Sequence, residues 1–283
     1  MAKQRFSSHT ATALAPREFK MRKIKFLLLV IIFLPWDVFA GSIDQNYTEI
    51  KSNIVLKYKD LPPGKFFMPH NQILNTDRKA IALTFDACGG KGGSGYNKQL
   101  IDYLMTENVP ATMFISGKWI DENKKTFLEL ANNELFEIAN HGLNHKALST
   151  NGKSIYSIQG TKNIDEIVDE VELNGRKIEK LTGKKPKFYR AATGWYDEIA
   201  IKIIAELGYQ YVNGNSSGFD YSSEISAKQI YDNIKMTKVP SIIVLHMNHP
   251  NWHEKEALQI FIPEMRSKGY RFVKLSEFEV IEK

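Results

Sequence analysis

From Ile81 onward, short apolar runs alternate with stretches of helical period, and that alternation leaves few folds open. The runs Ile81 Ala82 Leu83, Leu135 Phe136 Glu137 Ile138, Phe188 Tyr189 and Ile242 Ile243 Val244 are too brief for helices and apolar on both faces, as strands buried within a layered domain are. Strands are expected at 80–85, 111–116, 135–139, 187–190, 210–213, 241–246 and 270–273. Helices are expected between them at 97–107, 122–132, 161–182, 197–207, 226–235 and 254–267. The longest of these shows Ile164, Ile167, Val168, Val171, Ile178 and Leu181 at helical spacing, and Gly183 stops it. About seven strands separated by helices call for a parallel sheet, either open or closed into a barrel. Periodicity does not separate the two.

The first forty residues stand apart. Arg22, Lys23 and Lys25 precede the apolar stretch Phe26 to Leu34, and Val38 Phe39 Ala40 offers the small residues a signal peptidase reads. Residues 1–40 therefore read as a cleavable signal peptide with Gly41 as the mature start, and Met21 begins a segment that is a complete signal peptide by itself. The apolar stretch falls short of the roughly 20 residues that cross a bilayer, so no stable membrane span is expected after processing. Export to the periplasm or the medium follows.

Removing the leader changes the charge argument. Its seven Lys and Arg residues against two acids supply five of the formal net charge of +6, leaving the remainder near neutral. A nucleic-acid partner would need a basic stripe on the folded part, and none is evident. The remaining residues suffice for one large α/β domain, expected over 78–283. Residues 41–77, with Leu61 Pro62 Pro63 Gly64 and no sustained period, read as an N-terminal extended arm. Cys88 is the only cysteine, so no intramolecular disulfide is available.

Chemistry-bearing side chains follow the strands in order. Thr84 Phe85 Asp86 ends the first, and His141 and His145 come just after the third. Arg190 to Gly194 follows Phe188 Tyr189, and Leu245 His246 closes the apolar run at 242. A histidine pair four apart is by itself commonly incidental, as is an arginine or histidine at one strand end. All four segments in one order are not. Gly89, Gly90, Gly92, Gly93 and Gly95 lack the Lys-Ser/Thr of a phosphate loop and read as backbone close to a substrate or metal.

This order resembles the polysaccharide deacetylase family, also called the NodB-homology or carbohydrate esterase 4 family, over roughly Arg78 to Phe278. The resemblance implies a distorted (β/α) barrel of about seven parallel strands, with its site at their C-terminal ends. It also implies an N-acetylated polysaccharide substrate and a divalent metal, zinc by the ligand types. By that mapping Asp86 is the general base, His141 and His145 are metal ligands, and Arg190 holds the base. Thr193 presents a backbone N–H to the oxyanion, His246 is the general acid, and Asp220 orients it. Two positions depart from the pattern: Ala87 stands where the family has a second, metal-binding aspartate, and Ala192 replaces a proline. The missing ligand is expected from Asp86 itself first, because its backbone is already at the site, with Cys88 and His249 as further candidates. Trp195, Tyr196, Tyr221 and Trp252 lie beyond the same strand ends, where aromatic faces can stack on sugar rings. Trp195 flanks the arginine segment and is expected to be the best placed.

The reading that follows is an exported, metal-dependent polysaccharide N-deacetylase, a hydrolase of carbon–nitrogen bonds, acting on peptidoglycan or an exopolysaccharide. Two others compete: a glycan-binding protein that lost turnover with the second aspartate, and an O-acetyl esterase using the same site.

Overall fold

The structure is a computed structural model that describes residues 36–69, 71–237 and 240–283. The leader expected over 1–40 lies almost wholly outside the described residues. The chain divides into two units, 1–44 and 45–283, and the sheet belongs to the second.

Eight strands form the main sheet: β1 (Ala80–Ala87), β2 (Ala111–Ile115), β3 (Phe136–Asn140), β4 (Phe188–Tyr189), β5 (Gln210–Tyr211), β6 (Ser216–Ser217), β7 (Ser241–His246) and β8 (Arg271–Val273). All are parallel. They run in the order β5-β4-β3-β2-β1-β7-β6, with β8 added beside Ala80–Ala82 at the start of β1. The outermost members, β5 and β6, are joined only by residues 212–215. Even fully extended, that link spans at most about 18 Å, so the sheet has to curl until its edges meet. The result is the distorted (β/α) barrel expected from sequence. At the seam Gly214 has φ +84°, and a Cβ there would lie 2.6 Å from the Ile242 carbonyl oxygen, so only glycine lets the link close onto β7.

The pleat of β1 sorts its side chains into two environments. Ile81, Leu83, Phe85 and Ala87 pack outward against Leu100, Ile101 and Leu104 of one helix and Phe261 and Ile262 of another. Ala80 and Ala82 point inward and share the barrel floor with Phe114, Ala139, Phe188 and Ile242. Above that floor the inward row turns polar, with Thr84 and then Asp86.

Two helices depart from expectation in detail. The helix foreseen at 122–132 begins earlier and breaks at Asn123, giving Gly117–Glu122 and Lys124–Ala131; Ser116 starts the first by accepting a hydrogen bond from the Trp119 N–H at 3.2 Å. The long helix at 161–182 forms as Ile164–Val168 and Asn174–Thr182 around a π-helical turn at Asp169–Leu173.

The N-terminal arm is the larger correction. Through Tyr58 it is helical rather than extended, as part of the helix Trp36–Tyr58. Ile54 and Tyr58, with Tyr47 and Ile50 partly buried beside them, pack on a cluster that includes Val168, Ile199 and Ile203. Each fully buried side chain of this size contributes about 1.5–3 kcal/mol, enough to hold a helix of indifferent propensity. Beyond it the chain does run extended. Phe66–Phe67 pairs with Tyr196–Asp197, and Gln72–Leu74 pairs with Val280–Glu282.

Candidate active site

Asp86 ends β1 on its inward face, 6% exposed, and Arg190 leaves β4 pointing at it. Each nitrogen of the Arg190 guanidinium makes a hydrogen bond: Nη1 donates to Asp86 Oδ1 at 2.7 Å, Nη2 to Thr84 Oγ1 at 3.0 Å, and Nε to the Val212 carbonyl at 2.8 Å. Its flat face lies 3.9 Å from the Phe114 ring centroid. Burial opposes ionisation of Asp86, but Arg190, together with His141 and His246, holds the carboxyl below its usual range. The site therefore keeps a charged carboxylate at neutral pH.

His141 and His145 occupy the loop that leaves β3, with ring centroids 4.9 Å apart. His141 Nδ1 sits 2.8 Å from the Arg190 carbonyl oxygen, so Nδ1 carries the proton and Nε2 keeps its lone pair for the cavity. The loop is held from behind. Glu170, buried in the π-helical turn, accepts from the N–H groups of Asn144 and Lys146 at 3.0 Å, and its own carbonyl accepts from Leu143 at 2.8 Å. That turn also frees the Val171 carbonyl to accept from Asn140 Nδ2 at 2.7 Å. Sequence reading treated residues 161–182 as an ordinary helix and missed Glu170. Glu170→Ala is expected to leave two part-buried N–H groups without their acceptor and cost about 1–3 kcal/mol of stability, measured by denaturant unfolding; a loss below about 0.5 kcal/mol would mean that the loop holds its shape without the carboxylate.

His246 ends β7 on the opposite side of Asp86. Asp220 grips it twice, accepting from its backbone N–H at 2.7 Å and lying 3.1 Å from Nδ1. Burial opposes charging of the ring, but the Asp220 carboxylate overrides it and raises His246 well above its ordinary value. Behind Asp220 sits Glu254, 1% exposed, pushed up to about 8 by burial and by Asp220.

Asp86, Cys88, His141, His145, Arg190 and His246 all line one cavity of about 940 Å³ at the C-terminal ends of the strands. Cys88 Sγ and one ring nitrogen from each of His141 and His145 lie within 4.8 Å of one another, and among the described residues no other group of three metal-binding side chains does so. A tetrahedral zinc with bonds of about 2.0–2.3 Å separates its ligand atoms by roughly 3.3–3.8 Å, so no pair in this set has to contract by more than about 1–1.5 Å to close on an ion. The residues fit a divalent metal. Burial alone would disfavour the Cys88 thiolate, but His145, His141 and His246 favour it, and the thiol is held well below its usual range.

The remaining expected contacts divide. Thr193, in a tight turn with φ +65°, Tyr221 and Trp252 line the cavity. Trp195 does not: it packs on Phe66 of the arm, with ring centroids 5.3 Å apart. Tyr196 is buried, accepting from the Ala191 N–H at 2.9 Å. Two aromatics that sequence reading passed over, Tyr156 and Phe219, join Tyr221 at the rim, each more than half exposed.

Comparison with known proteins agrees with this geometry. The polysaccharide deacetylase family model matches residues 74–212. The peptidoglycan-N-acetylmuramic acid deacetylase PdaA of Bacillus subtilis is 28% identical over 208 residues, covering 72% of each chain. A peptidoglycan-N-acetylglucosamine deacetylase of Bacillus cereus is 27% identical over 79% of this chain and 97% of its own. Among solved structures, a family 4 acetyl xylan esterase from Clostridium thermocellum in complex with a cobalt ion superposes with a TM-score of 0.58 at 27% identity, covering 70% of this chain and 89% of that one. The chain belongs to the polysaccharide deacetylase family, hydrolases that act on the acetyl groups of polysaccharides.

Proposed function

We propose that this protein is an exported, metal-dependent N-deacetylase of a bacterial cell-wall or exported polysaccharide. The observation that carries the reading is the convergence of Asp86, His141, His145 and His246, from three strand ends, on one cavity. Amide hydrolysis needs a base for water, polarisation of the carbonyl and an acid for the departing amine. The positions of these side chains meet each need.

His141 and His145 would hold the metal with one more donor from the end of β1, and such an ion supplies Lewis acidity at the acetyl carbonyl. Asp86, ionised and oriented by Arg190, takes the proton from the attacking water. The Thr193 N–H stabilises charge on the carbonyl oxygen. His246, kept protonated and oriented by Asp220, delivers a proton to the sugar amine as it leaves. Tyr156, Phe219 and Tyr221 present exposed aromatic surface at the mouth, suited to the apolar faces of sugar rings. The relatives that act on peptidoglycan, and the apolar leader, favour a substrate outside the cytoplasm.

Acetate release from N-acetylated oligosaccharides is expected to fall to background after chelation and to return with one equivalent of zinc or cobalt. Activity that survives complete metal removal would defeat the metal-dependent reading. Release from O-acetyl xylan but not from N-acetyl substrates would assign the site to ester cleavage instead.

A further inference from the structure

The family resemblance places a metal-binding carboxylate at position 87, but in this fold position 87 does not face the site. Ala87 is fully buried on the outward face of β1, among Phe85, Ile115 and Trp119. A carboxylate introduced there would enter an apolar cluster with nothing to neutralise it. The two-residue period that carries Thr84 and Asp86 inward instead delivers residue 88, and Cys88 lines the cavity.

The other candidates are committed elsewhere. Asp86 Oδ1 receives the Arg190 guanidinium, and although Oδ2 comes within 3.8 Å of His141 Nε2, Asp86 does not join both histidines in a group of three ligand atoms within 4.8 Å. His249 is stacked on Trp252 with ring centroids 3.5 Å apart and lies 3.2 Å from the Asn248 amide. Cys88, by contrast, groups its sulfur with His141 and His145, and the strand end that carries it is fixed by the Ser116 hydroxyl, which donates to the Cys88 carbonyl at 2.6 Å.

We infer that Cys88 is the third protein ligand of the metal centre, binding as a thiolate with the Nε2 of His141 and a ring nitrogen of His145. The inference rests on the metal-dependent reading of the site. Metal entry displaces the thiol proton where one is present, and one anionic ligand is kept in place of the family's carboxylate. Two consequences follow. Asp86 stays free as the base. The soft sulfur selects zinc or cobalt over manganese and magnesium.

The full chain, stripped and reloaded with Co²⁺, is expected to show a sulfur-to-cobalt charge-transfer band in the near ultraviolet at one equivalent of metal. Cys88→Ser should lose that band and bind zinc more than about 100-fold less tightly, beyond the loss that follows removal of an outer-shell partner. Cys88→Asp should keep stoichiometric cobalt without the band, which shows that the fold survives. Zinc should also protect Cys88 from a thiol-modifying disulfide. Stoichiometric cobalt without a charge-transfer band in the wild-type chain, or unchanged zinc affinity in Cys88→Ser, would overturn the ligand assignment and leave the deacetylase reading standing. An acetyl group trapped on Cys88 with activity independent of metal would make the thiol a nucleophile and overturn the assignment. Failure of the wild-type chain to bind any divalent ion would remove both.

Discussion

Asp86→Asn is expected to lower turnover on an N-acetylated oligosaccharide by about 10²–10⁴-fold, the usual worth of a positioned general base, while bound metal stays at one equivalent. Asparagine can still accept the Arg190 hydrogen bond seen at 2.7 Å. It cannot take a proton from water. It also removes the negative partner of a buried guanidinium, and breaking such a pair outright costs about 3–5 kcal/mol, so some loss of stability should accompany the loss of turnover. Metal content separates two roles that the sequence leaves joined. If the ion departs with the carboxylate, Asp86 is a ligand, and the base has to be sought elsewhere.

The pH dependence of Asp86 has a definite sign. Burial works against its ionisation, but Arg190 lowers its pKa overall, so the pair's contribution to stability is present above the unfolded value of about 3.9. It is lost as pH falls through the lower folded value. Inactivation through Asp86 therefore belongs below about pH 4. A loss of activity nearer pH 6 would come from imidazoles exchanging metal for protons.

Much of this architecture was legible because strands buried on both sides are written as short apolar runs. The residues just past those runs, Asp86, His141, Arg190 and His246, then fall at one end of the barrel as a matter of chain direction. The third-ligand ranking was less legible, although its signal was present. Alternation within β1 already puts Asp86 and residue 88 on one face and Ala87 on the other, yet mapping by resemblance draws attention to 87. Tyr47, Ile50, Ile54 and Tyr58 likewise repeat at helical spacing inside the segment read as an extended arm. Trp195 failed for a different reason. The strand Phe66–Phe67 that covers it arrives from more than a hundred residues away, and no local pattern announces such a partner. Tyr156 and Phe219 both adopt positive φ on loops, where side-chain direction is set by the turn rather than by a period.

His246→Ala tests the acid in a way that loss of activity alone does not. Turnover of an N-acetyl sugar should fall by about 10²–10⁴-fold, because an amine cannot depart unprotonated. An aryl acetate releases a phenolate that needs no proton, so its hydrolysis should fall far less. Equal losses on both substrates would assign His246 to some other task, and loss of metal would make it a ligand. Asp220→Asn then tests the tuning. Burial by itself disfavours the imidazolium; the Asp220 carboxylate reverses that and raises the pKa. A general acid works in its protonated form, so the rate declines as pH rises through that pKa. Removing the charge at Asp220 while keeping an oxygen for the His246 backbone N–H should move the alkaline limb of kcat to lower pH, because the charged ring loses its carboxylate partner. An alkaline limb that stays in place would mean that some group other than His246 gives up the proton.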